Sequence, residues 1–459
     1  MKKQLCFALS ACFLLSSFPL AGCTNSSRIT RNANTLYVAS WDEYIDEGGS
    51  FYQDDDPDMQ DFKDWYFELT GIDLNHSKPL YEEFEEETGI HVEYVTLQDN
   101  ETMYNKIKMG DTYDLLCPSE YMIMKLAAEQ MLEKYPASFF DTTNENNYYA
   151  KNVSPYIQET FETGKLENGE SWAEYAAGYM WGSTGFVFNP NKLDRDLMNS
   201  WNCVTSDACN HKVTAKDNVR DSYFMGLGMH YEAELLELKA KYERGEVSRE
   251  TYRSILDEKM NDTQPATMNS VKKDLIRMRK NLYGLETDEG KFDIIRGRFD
   301  ASYQWSGDAV YILDEAESSD LELEYSIPSA ASNLFFDGWV MMKGANVDAA
   351  TAFVNFLSRP ENVIRNMYYI GYTSCIGGNE VFDYISYIYG AEDDDDAAVS
   401  YDLSYFFGEG RTIFTPENQT RRQLFAQYPD TKTIDRLVVM KYFDKETNER
   451  ANRMWINIK

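Results

Sequence analysis

Histidine and cysteine are scarce in this chain of 459 residues, which contains four histidines and seven cysteines. The histidines are scattered, and no cysteine and histidine spacing typical of a zinc site occurs. The sequence also lacks a Gly-x-Ser-x-Gly nucleophile elbow and a His-Glu-x-x-His helix, two motifs of hydrolases. We therefore expect no metal and no cofactor.

Basic residues are few relative to acidic ones. The chain has 44 Lys and Arg against 77 Asp and Glu, a formal net charge of −33. Such a surface repels nucleic acid and anionic lipid, so no nucleic-acid partner is expected, and it concentrates cationic solutes. Two acidic runs, Asp54 to Asp58 and Asp393 to Asp396, lack the spacing of a calcium loop and are interpreted as solvated surface.

One long apolar run is present, at the N-terminus. Two lysines precede about 16 apolar residues, fewer than the roughly 20 that span a bilayer, and the run ends in Leu20-Ala21-Gly22-Cys23. This pattern predicts a lipoprotein signal peptide over residues 1–22, with Cys23 acylated and residues 23–34 as a tether. We expect an exported protein, lipid-anchored to the outer face of the cytoplasmic membrane, in the periplasmic space if a second membrane is present.

Four cysteines remain in the body after the leader and the acylated cysteine are set aside. The four are Cys117, Cys203, Cys209 and Cys375, and Cys203 and Cys209 lie close enough in sequence to form a local disulfide in an oxidising compartment or to remain free buried thiols. Both alternatives are open for this pair.

The first part of the body alternates short apolar runs with amphipathic ones. This pattern predicts a parallel sheet with helical crossovers, built from strands at Thr35–Ala39, Ile90–Val95 and Tyr113–Cys117 and helices at Leu80–Thr88, Thr102–Met109 and Ser119–Tyr135. Ligands of such sheets lie beyond the carboxyl ends of the strands, where Trp41 to Tyr44 and Ser119 to Tyr121 fall. Residues 47–79 are an insertion.

The later part of the sequence predicts a second α/β lobe, followed by a strand and further helices. Its signals are a charged helical section, a strand and further helices, over Glu232–Asn261, Leu334–Met342, Asp348–Leu357, Pro360–Ile370 and Asp435–Lys459.

Nine sequence landmarks, in order, resemble those of the spermidine/putrescine-binding proteins of polyamine ABC importers. They are Trp41 to Asp46; Phe84 to Gly89 followed by Val92 and Asn100 to Tyr104; Tyr113 to Leu115 with Pro118 to Tyr121; Tyr179 to Thr184; Asp217 to Asp221; Trp305 to Gly307; Phe336 to Gly338; Asn355 to Pro360; and Ile370 to Thr373. Each is weak alone, but their common order is specific.

The resemblance implies an α/β, two-lobed periplasmic-binding-protein-like fold. Each lobe is then a mixed, mainly parallel sheet flanked by helices, with the ligand cleft between the lobes. The implied boundaries are 35–181 plus 336–380 for the first lobe and 182–335 plus 381–459 for the second. The implied partners are a small-molecule polyamine and the permease and ATPase subunits of an ABC importer, and the implied state is a monomer.

The resemblance also implies a ligand site. Ammonium groups need carboxylates, and methylene chains need flat apolar walls. The implied ligand-binding residues are Trp41, Glu43, Tyr44, Ser119, Tyr121, Asn218, Asp221, Trp305, Phe335, Asp337, Tyr372 and Met440, with Asp337 and Asp221 as the main acids.

Three positions depart from the spermidine binder. Asn218, Phe335 and Met440 stand where it has an aspartate, a tryptophan and a glutamine. The lost acid argues for a ligand with fewer charges, or for Glu120 or Asp42 taking over. A shorter diamine such as putrescine is therefore at least as well supported as spermidine.

The leading hypothesis is a polyamine receptor that closes on its ligand and docks on a permease. One alternative is a binding protein for another small cationic or polar solute. An alternative of another class is a secreted carboxylate-dependent hydrolase, since acidic, aromatic clefts also occur in glycosidases.

Overall fold

The structure is a computed structural model that describes residues 34–53, 56–286, 289–319, 321–392 and 397–459. The leader, Cys23, Asp54, Asp55 and the run Asp393 to Asp396 lie outside the described residues, so the predictions made for them stay predictions. Within the described ranges, no helix combines the length and the apolar character needed to cross a membrane.

The β-strands alternate with helices in the first part of the chain and extend to its C-terminal region. In chain order they are β1 (Thr35–Trp41), β2 (His91–Leu97), β3 (Leu115–Leu116), β4 (Leu132–Glu133), β5 (Ala176–Phe188), β6 (Val213–Lys216), β7 (Gly284–Glu286), β8 (Ala301–Trp305), β9 (Glu324–Ser326), β10 (Ser332–Met342), β11 (Thr373–Ser374), β12 (Ala398–Asp402), β13 (Thr412–Pro416) and β14 (Leu437–Val439).

The α-helices pack on the faces of the sheet. They are α1 (Pro57–Thr70), α2 (Leu80–Thr88), α3 (Asn100–Met109), α4 (Glu120–Ala128), α5 (Tyr148–Asn152), α6 (Pro155–Thr163), α7 (Arg195–Met198), α8 (Val219–Glu243), α9 (Arg249–Met260), α10 (Pro265–Asn281), α11 (Glu289–Ile295), α12 (Ser306–Ser318), α13 (Val347–Leu357), α14 (Pro360–Ile370), α15 (Asn379–Tyr389), α16 (Ser404–Phe407), α17 (Gln423–Gln427), α18 (Thr431–Ile434) and α19 (Lys445–Ile456).

The main sheet is mixed, with the order β2-β1-β3-β10-β5-β8-β6-β7. Strand β1 is parallel to β2 and β3, as the alternation of strands and helices predicts, and β6 is parallel to β7 and β8. The long strands β5 and β10 run antiparallel to each other in the middle and join the two parallel groups. The predicted α/β class, with mixed and mainly parallel sheet flanked by helices, is confirmed.

Buried apolar side chains form two clusters. The larger surrounds β1, β3 and the inner part of β10 and includes Trp181 and Trp339. The smaller surrounds Trp201 and Tyr303 and collects side chains of α8, α9, α10 and α19. Every member of the two clusters lies between Leu36 and Ile458, so the core of the described part of the chain falls after the tether. The predicted lobe boundaries stay a prediction.

Two predicted helices are wrong in extent. Helix α4 ends at Ala128, because Gln130 adopts φ 58° and Leu132 pairs with Met342 of β10. The proposed helix Asp435–Lys459 contains β14, which pairs in parallel with β10, and only α19 is helical. In both cases an available place in the sheet overrides the local helical preference.

Hydrogen bonds hold the insertion 47–79 in place at both of its ends. Its Gly49 amide donates to the Ser77 carbonyl, and the buried Arg365 guanidinium bonds the Asp46 carboxylate and the Lys78 carbonyl. Farther along, the Phe62 ring of α1 stacks on Tyr368 at 3.6 Å between centroids. The insertion therefore has a packed structure, and its first residues are held at a defined place beside β1.

Cys203 and Cys209 are both buried and are not joined by a disulfide. Cys117 and Cys375 are likewise buried free thiols. Of the two alternatives left open by the sequence, the structure shows the free thiols.

Candidate functional site

A cleft of about 950 Å³ lies where strand ends from both parallel groups of the sheet meet. All twelve side chains that the sequence suggested are in its lining: Trp41, Glu43, Tyr44, Ser119, Tyr121, Asn218, Asp221, Trp305, Phe335, Asp337, Tyr372 and Met440. The two further acids considered there, Asp42 and Glu120, line it as well. The structure thus brings these residues together, and their contact with a ligand stays a prediction.

Asp337 stands at an irregularity of β10, where the pairing with β5 shifts register between Asp337 and Gly338. Its side chain is almost completely buried, and the Tyr44 hydroxyl donates to its carboxylate at 2.5 Å. Burial raises the pKa of Asp337, while hydrogen bonds from Tyr44, Ser119 and Trp41 oppose that rise. Within the described part of the chain, no basic side chain forms an ion pair with this carboxylate.

Glu120 begins α4 and lies behind Asp337. It is buried, and its Oε2 accepts a hydrogen bond of 3.4 Å from the Phe336 amide. Burial raises the pKa of Glu120 to about 8; the Asp337 charge adds to that rise and Arg220 opposes it. Two carboxyl groups therefore share this wall, and one of them titrates near neutral pH.

Asp221 and Asn218 come from the N-terminus of α8. Trp305 Nε1 donates to Asp221 Oδ1 at 3.4 Å, and burial raises the pKa of Asp221. Asn218 is the helix cap, since its Oδ1 accepts from the Arg220 and Asp221 amides. The residue that replaces the expected acid therefore has a structural role at the helix start.

Three charged residues beside Trp305 were missed by the sequence reasoning. Lys216, at the end of β6, bonds Asp308 Oδ2 at 3.0 Å, and Lys291 bonds Asp308 Oδ1 at 3.3 Å. Burial raises the pKa of Asp308, but the two ammonium groups outweigh it and hold the pKa below the usual value. The available signal was a lysine ending an apolar strand and an aspartate three residues after Trp305.

A third group of acids lies at the edge of the cleft. It comprises Asp42, Glu43 and Glu47, and Glu43 has φ 52°, a left-handed conformation uncommon for a side chain of this kind. Partial burial and the neighbouring carboxylates raise the pKa of Glu47. Glu47 and Phe51 belong to the insertion, so this segment contributes directly to the cleft wall.

The aromatic lining is ordered by edge contacts. The Tyr372 ring meets Tyr44 at 6.1 Å and Phe335 at 6.2 Å between centroids. Position 307 must be glycine for this arrangement, since a Cβ there would lie 2.2 Å from the Tyr372 ring. Among the residues described, no cluster of three or more His, Cys, Asp or Glu side chains is arranged to hold a metal ion.

Comparison with known proteins gives a consistent result. The family described as bacterial extracellular solute-binding protein matches residues 80–378. The spermidine/putrescine-binding periplasmic protein of Salmonella typhimurium is 23% identical over 332 residues, 72% of this chain and 74% of that protein. The putrescine-binding periplasmic protein SpuD of Pseudomonas aeruginosa is 25% identical over 290 residues, 61% of this chain and 70% of that protein.

Solved structures share the fold. A protein from Listeria monocytogenes described as a spermidine/putrescine ABC transporter superposes with a TM-score of 0.60 at 24% identity, covering 93% of this chain and 98% of that one. The Tp0655 lipoprotein of Treponema pallidum superposes with a TM-score of 0.57 at 15% identity, covering 93% of this chain and 99% of that one. At these identities the likeness shows the fold alone.

Proposed function

We propose that this chain, which belongs to the bacterial extracellular solute-binding proteins, binds a polyamine as its solute. The family consists of binding proteins and not of enzymes. The membership also removes the alternative of a secreted hydrolase, although paired carboxylates do lie in the cleft. We further propose that the protein delivers its solute to the permease and ATPase of an ABC importer.

The observation that carries the proposal is the setting of Asp337. Its carboxylate is buried in the cleft wall, and the groups that hydrogen-bond it are neutral side chains. A buried carboxylate is stabilised strongly by a cation and poorly by neutral donors alone. A ligand ammonium in the cleft supplies that cation.

The rest of the lining suits the methylene part of a polyamine. Trp41, Tyr44, Phe335 and Tyr372 present aromatic surface beside Asp337. Aromatic faces contact methylene groups well and contribute roughly 0.5–2 kcal/mol to a well-placed cation. The relatives at 23–25% identity are named for binding spermidine or putrescine, which agrees with this chemistry.

Capture requires that the ligand contact both walls of the cleft. Asp337 lies on β10 and Asp221 lies at the start of α8, and a diamine that reaches both would favour a closed form over an open one. The closed form is the one we propose to dock on the permease. The protein acts as a monomer in this proposal.

We propose that the lipid on Cys23 keeps the receptor near the permease. Confinement raises the effective concentration of a docking partner. The solved Treponema pallidum relative is described as a lipoprotein. The chain expressed in a bacterium should incorporate labelled fatty acid, and Cys23→Ser should abolish the label; an equal label in the variant would contradict the anchor.

Calorimetry and thermal shift of the chain from residue 24 test the ligand class. Putrescine, spermidine and spermine are compared with a panel of amino acids and sugars, because a ligand that binds the native state raises its apparent stability. We expect a response to at least one polyamine. A response confined to amino acids would favour the second candidate, another small polar solute, and no response to millimolar polyamine would overturn the proposal.

A further inference from the structure

The ammonium of Lys216 lies behind the acidic, aromatic lining of the cleft, against Trp305 and Asp308. Its Nζ is 3.9 Å from the centre of the Trp305 ring and 3.0 Å from Asp308 Oδ2. The side chain is 2% exposed, so this cation is a permanent part of the wall. A carboxylate on one side and an aromatic face on the other are the contacts that a ligand ammonium would seek.

Four charges beside Trp305 cancel one another, and the Arg220 guanidinium acts on Asp221 as a further cation. Asp221 and Asp308 contribute two carboxylates, and Lys216 and Lys291 contribute two ammonium groups. The Lys216 charge also acts on Asp221, whose pKa it lowers against the effect of burial. Trp305 Nε1 provides the remaining contact to Asp221. A further cation brought to this wall would gain little net attraction and would have to lose its hydration.

The opposite wall differs. The Asp337 carboxylate has no basic partner within the described residues. Burial raises the pKa of the neighbouring Glu120, and the Arg220 charge and backbone hydrogen bonds oppose that rise. Arg220 itself stacks on the Tyr121 ring at 4.0 Å and donates to the Lys441 carbonyl. Among the described residues, carboxylates without a paired cation are therefore concentrated at Asp337 and at the edge formed by Asp42, Glu43 and Glu47.

We propose that Lys216 takes, within the protein itself, the place of one ligand ammonium, and that it thereby makes the cleft selective for a diamine over a triamine. This inference rests on the proposed polyamine function. It names Lys216 as a specificity-determining residue that acts through Asp308 and Trp305. The absence of an acid at Asn218 works in the same direction, since it removes another position that could receive a cation.

Calorimetric titration with putrescine and with spermidine tests the role of Lys216. The chain from residue 24 is used, since it contains every described residue of the core. It is compared in its unmodified form and as Lys216→Met, Asp308→Asn and the double variant. We expect the unmodified protein to bind putrescine more tightly than spermidine. Lys216→Met leaves an excess negative charge on the wall, so the ratio of the spermidine Kd to the putrescine Kd should fall by about tenfold.

The two other variants control for charge. Asp308→Asn adds net positive charge and should move the ratio the opposite way, while the double variant is neutral and should return toward the unmodified ratio. Thermal unfolding shows which variants fold. If one single variant does not fold, the change in the ratio of the spermidine Kd to the putrescine Kd in the other single variant decides the test.

Three results would overturn the inference. They are a ratio unchanged within about twofold in both single variants, a shift of the same sign in both, and an unmodified protein that prefers spermidine. Each leaves the polyamine function intact. An unmodified protein that binds neither amine would instead refute the proposed function, and the inference would fall with it.

Discussion

The Tyr44 hydroxyl donates a 2.5 Å hydrogen bond to the Asp337 carboxylate, although 293 residues separate the two positions. Burial and the adjacent carboxylate raise the pKa of Tyr44 well above its usual value, so the hydroxyl remains a donor at all ordinary pH values. This bond joins the segment that follows β1 to the position in β10 where the pairing with β5 shifts register. It holds the central acid of the cleft in one orientation and favours its ionised form.

Asp337→Asn should weaken polyamine binding by at least about tenfold, because the amide is similar in shape and carries no charge to pair with an ammonium. Calorimetric titration with putrescine at pH 7.5 gives the measurement. Asn218→Ala is the matched control: its side chain caps α8, so we expect a loss of about 1 kcal/mol in stability and a smaller change in affinity. Equal losses of affinity in the two variants would mean that the amine does not lie at Asp337.

Tyr44→Phe should make polyamine binding more sensitive to acid. The lost hydroxyl normally lowers the pKa of Asp337 against the effect of burial, so in the variant that pKa rises further and more of the carboxyl is protonated at pH 6. Affinity should therefore fall more at pH 6 than at pH 8, and titrations at the two pH values compare them. A loss independent of pH would assign to Tyr44 a packing role only.

Binding of a diamine at pH 7 should release protons from Glu120. With a pKa of about 8 the carboxyl is mainly protonated in the free protein, and a nearby cation favours its ionised form. Titrations in phosphate and in Tris buffer should give enthalpies that differ by the proton release, and Glu120→Gln should remove most of that difference. Equal enthalpies in the two buffers for the unmodified protein would contradict this prediction.

The same group should affect the stability of the ligand-free protein. The folded-state pKa of Glu120 lies above the usual 4.5, so the folded protein holds a proton that the unfolded chain releases between pH 4.5 and about 8. This contribution to stability is lost as the pH rises through that window. Denaturant unfolding of Glu120→Gln should show a smaller decline from pH 5.5 to pH 8.5, and a decline equal to that of the unmodified protein would argue against the raised pKa.

Arg365→Met should destabilise the protein by about 3–5 kcal/mol. The guanidinium is fully buried and pairs with Asp46 and Glu83, so its removal leaves the buried Asp46 carboxylate without a cation, with the Gly48 amide and the Tyr52 hydroxyl as donors. Denaturant unfolding measures the loss. Arg359→Met removes a more exposed pair with Glu87 and should cost at most about 1 kcal/mol. Similar losses in both variants would show that burial does not distinguish these ion pairs.

Gly48→Ala should disturb the segment of the insertion that lines the cleft. A Cβ at this position would lie 2.5 Å from the Lys78 backbone, and φ is +57°. Gly49→Ala is the matched control, because its φ is +52° with no atom within 4 Å of the added Cβ. We expect about 1–2 kcal/mol of strain in the control and a clearly larger loss of stability at position 48. Equal losses, measured by denaturant unfolding, would mean that the Lys78 backbone gives way easily.

Much of the fold followed from local patterns. Helices α2 and α14 have the predicted bounds, since each begins at or near a proline and ends at a glycine with positive φ. The extents of α4 and of the C-terminal helix were wrong, because β4 and β14 gain their stability from pairing with β10. Pairing of that kind depends on a strand far away in the chain, which no local pattern contains.

The sequence by itself predicted part of the cleft lining, although it missed Lys291 and Asp308. Trp41 ends β1 and Ser119 follows β3, and the carboxyl ends of these two parallel strands lie at a common edge of the sheet. Trp305 ends β8, which runs opposite to β1 and belongs to the other parallel group. The tertiary structure alone decided the pairing of charges. Lys216 meets Asp308 across 92 residues of sequence, and Arg365 meets Asp46 across 319. Electrostatic attraction depends on distance in space. Only the folded chain therefore distinguishes the acids that are already paired with a cation from Asp337, which has no cationic partner among the described residues.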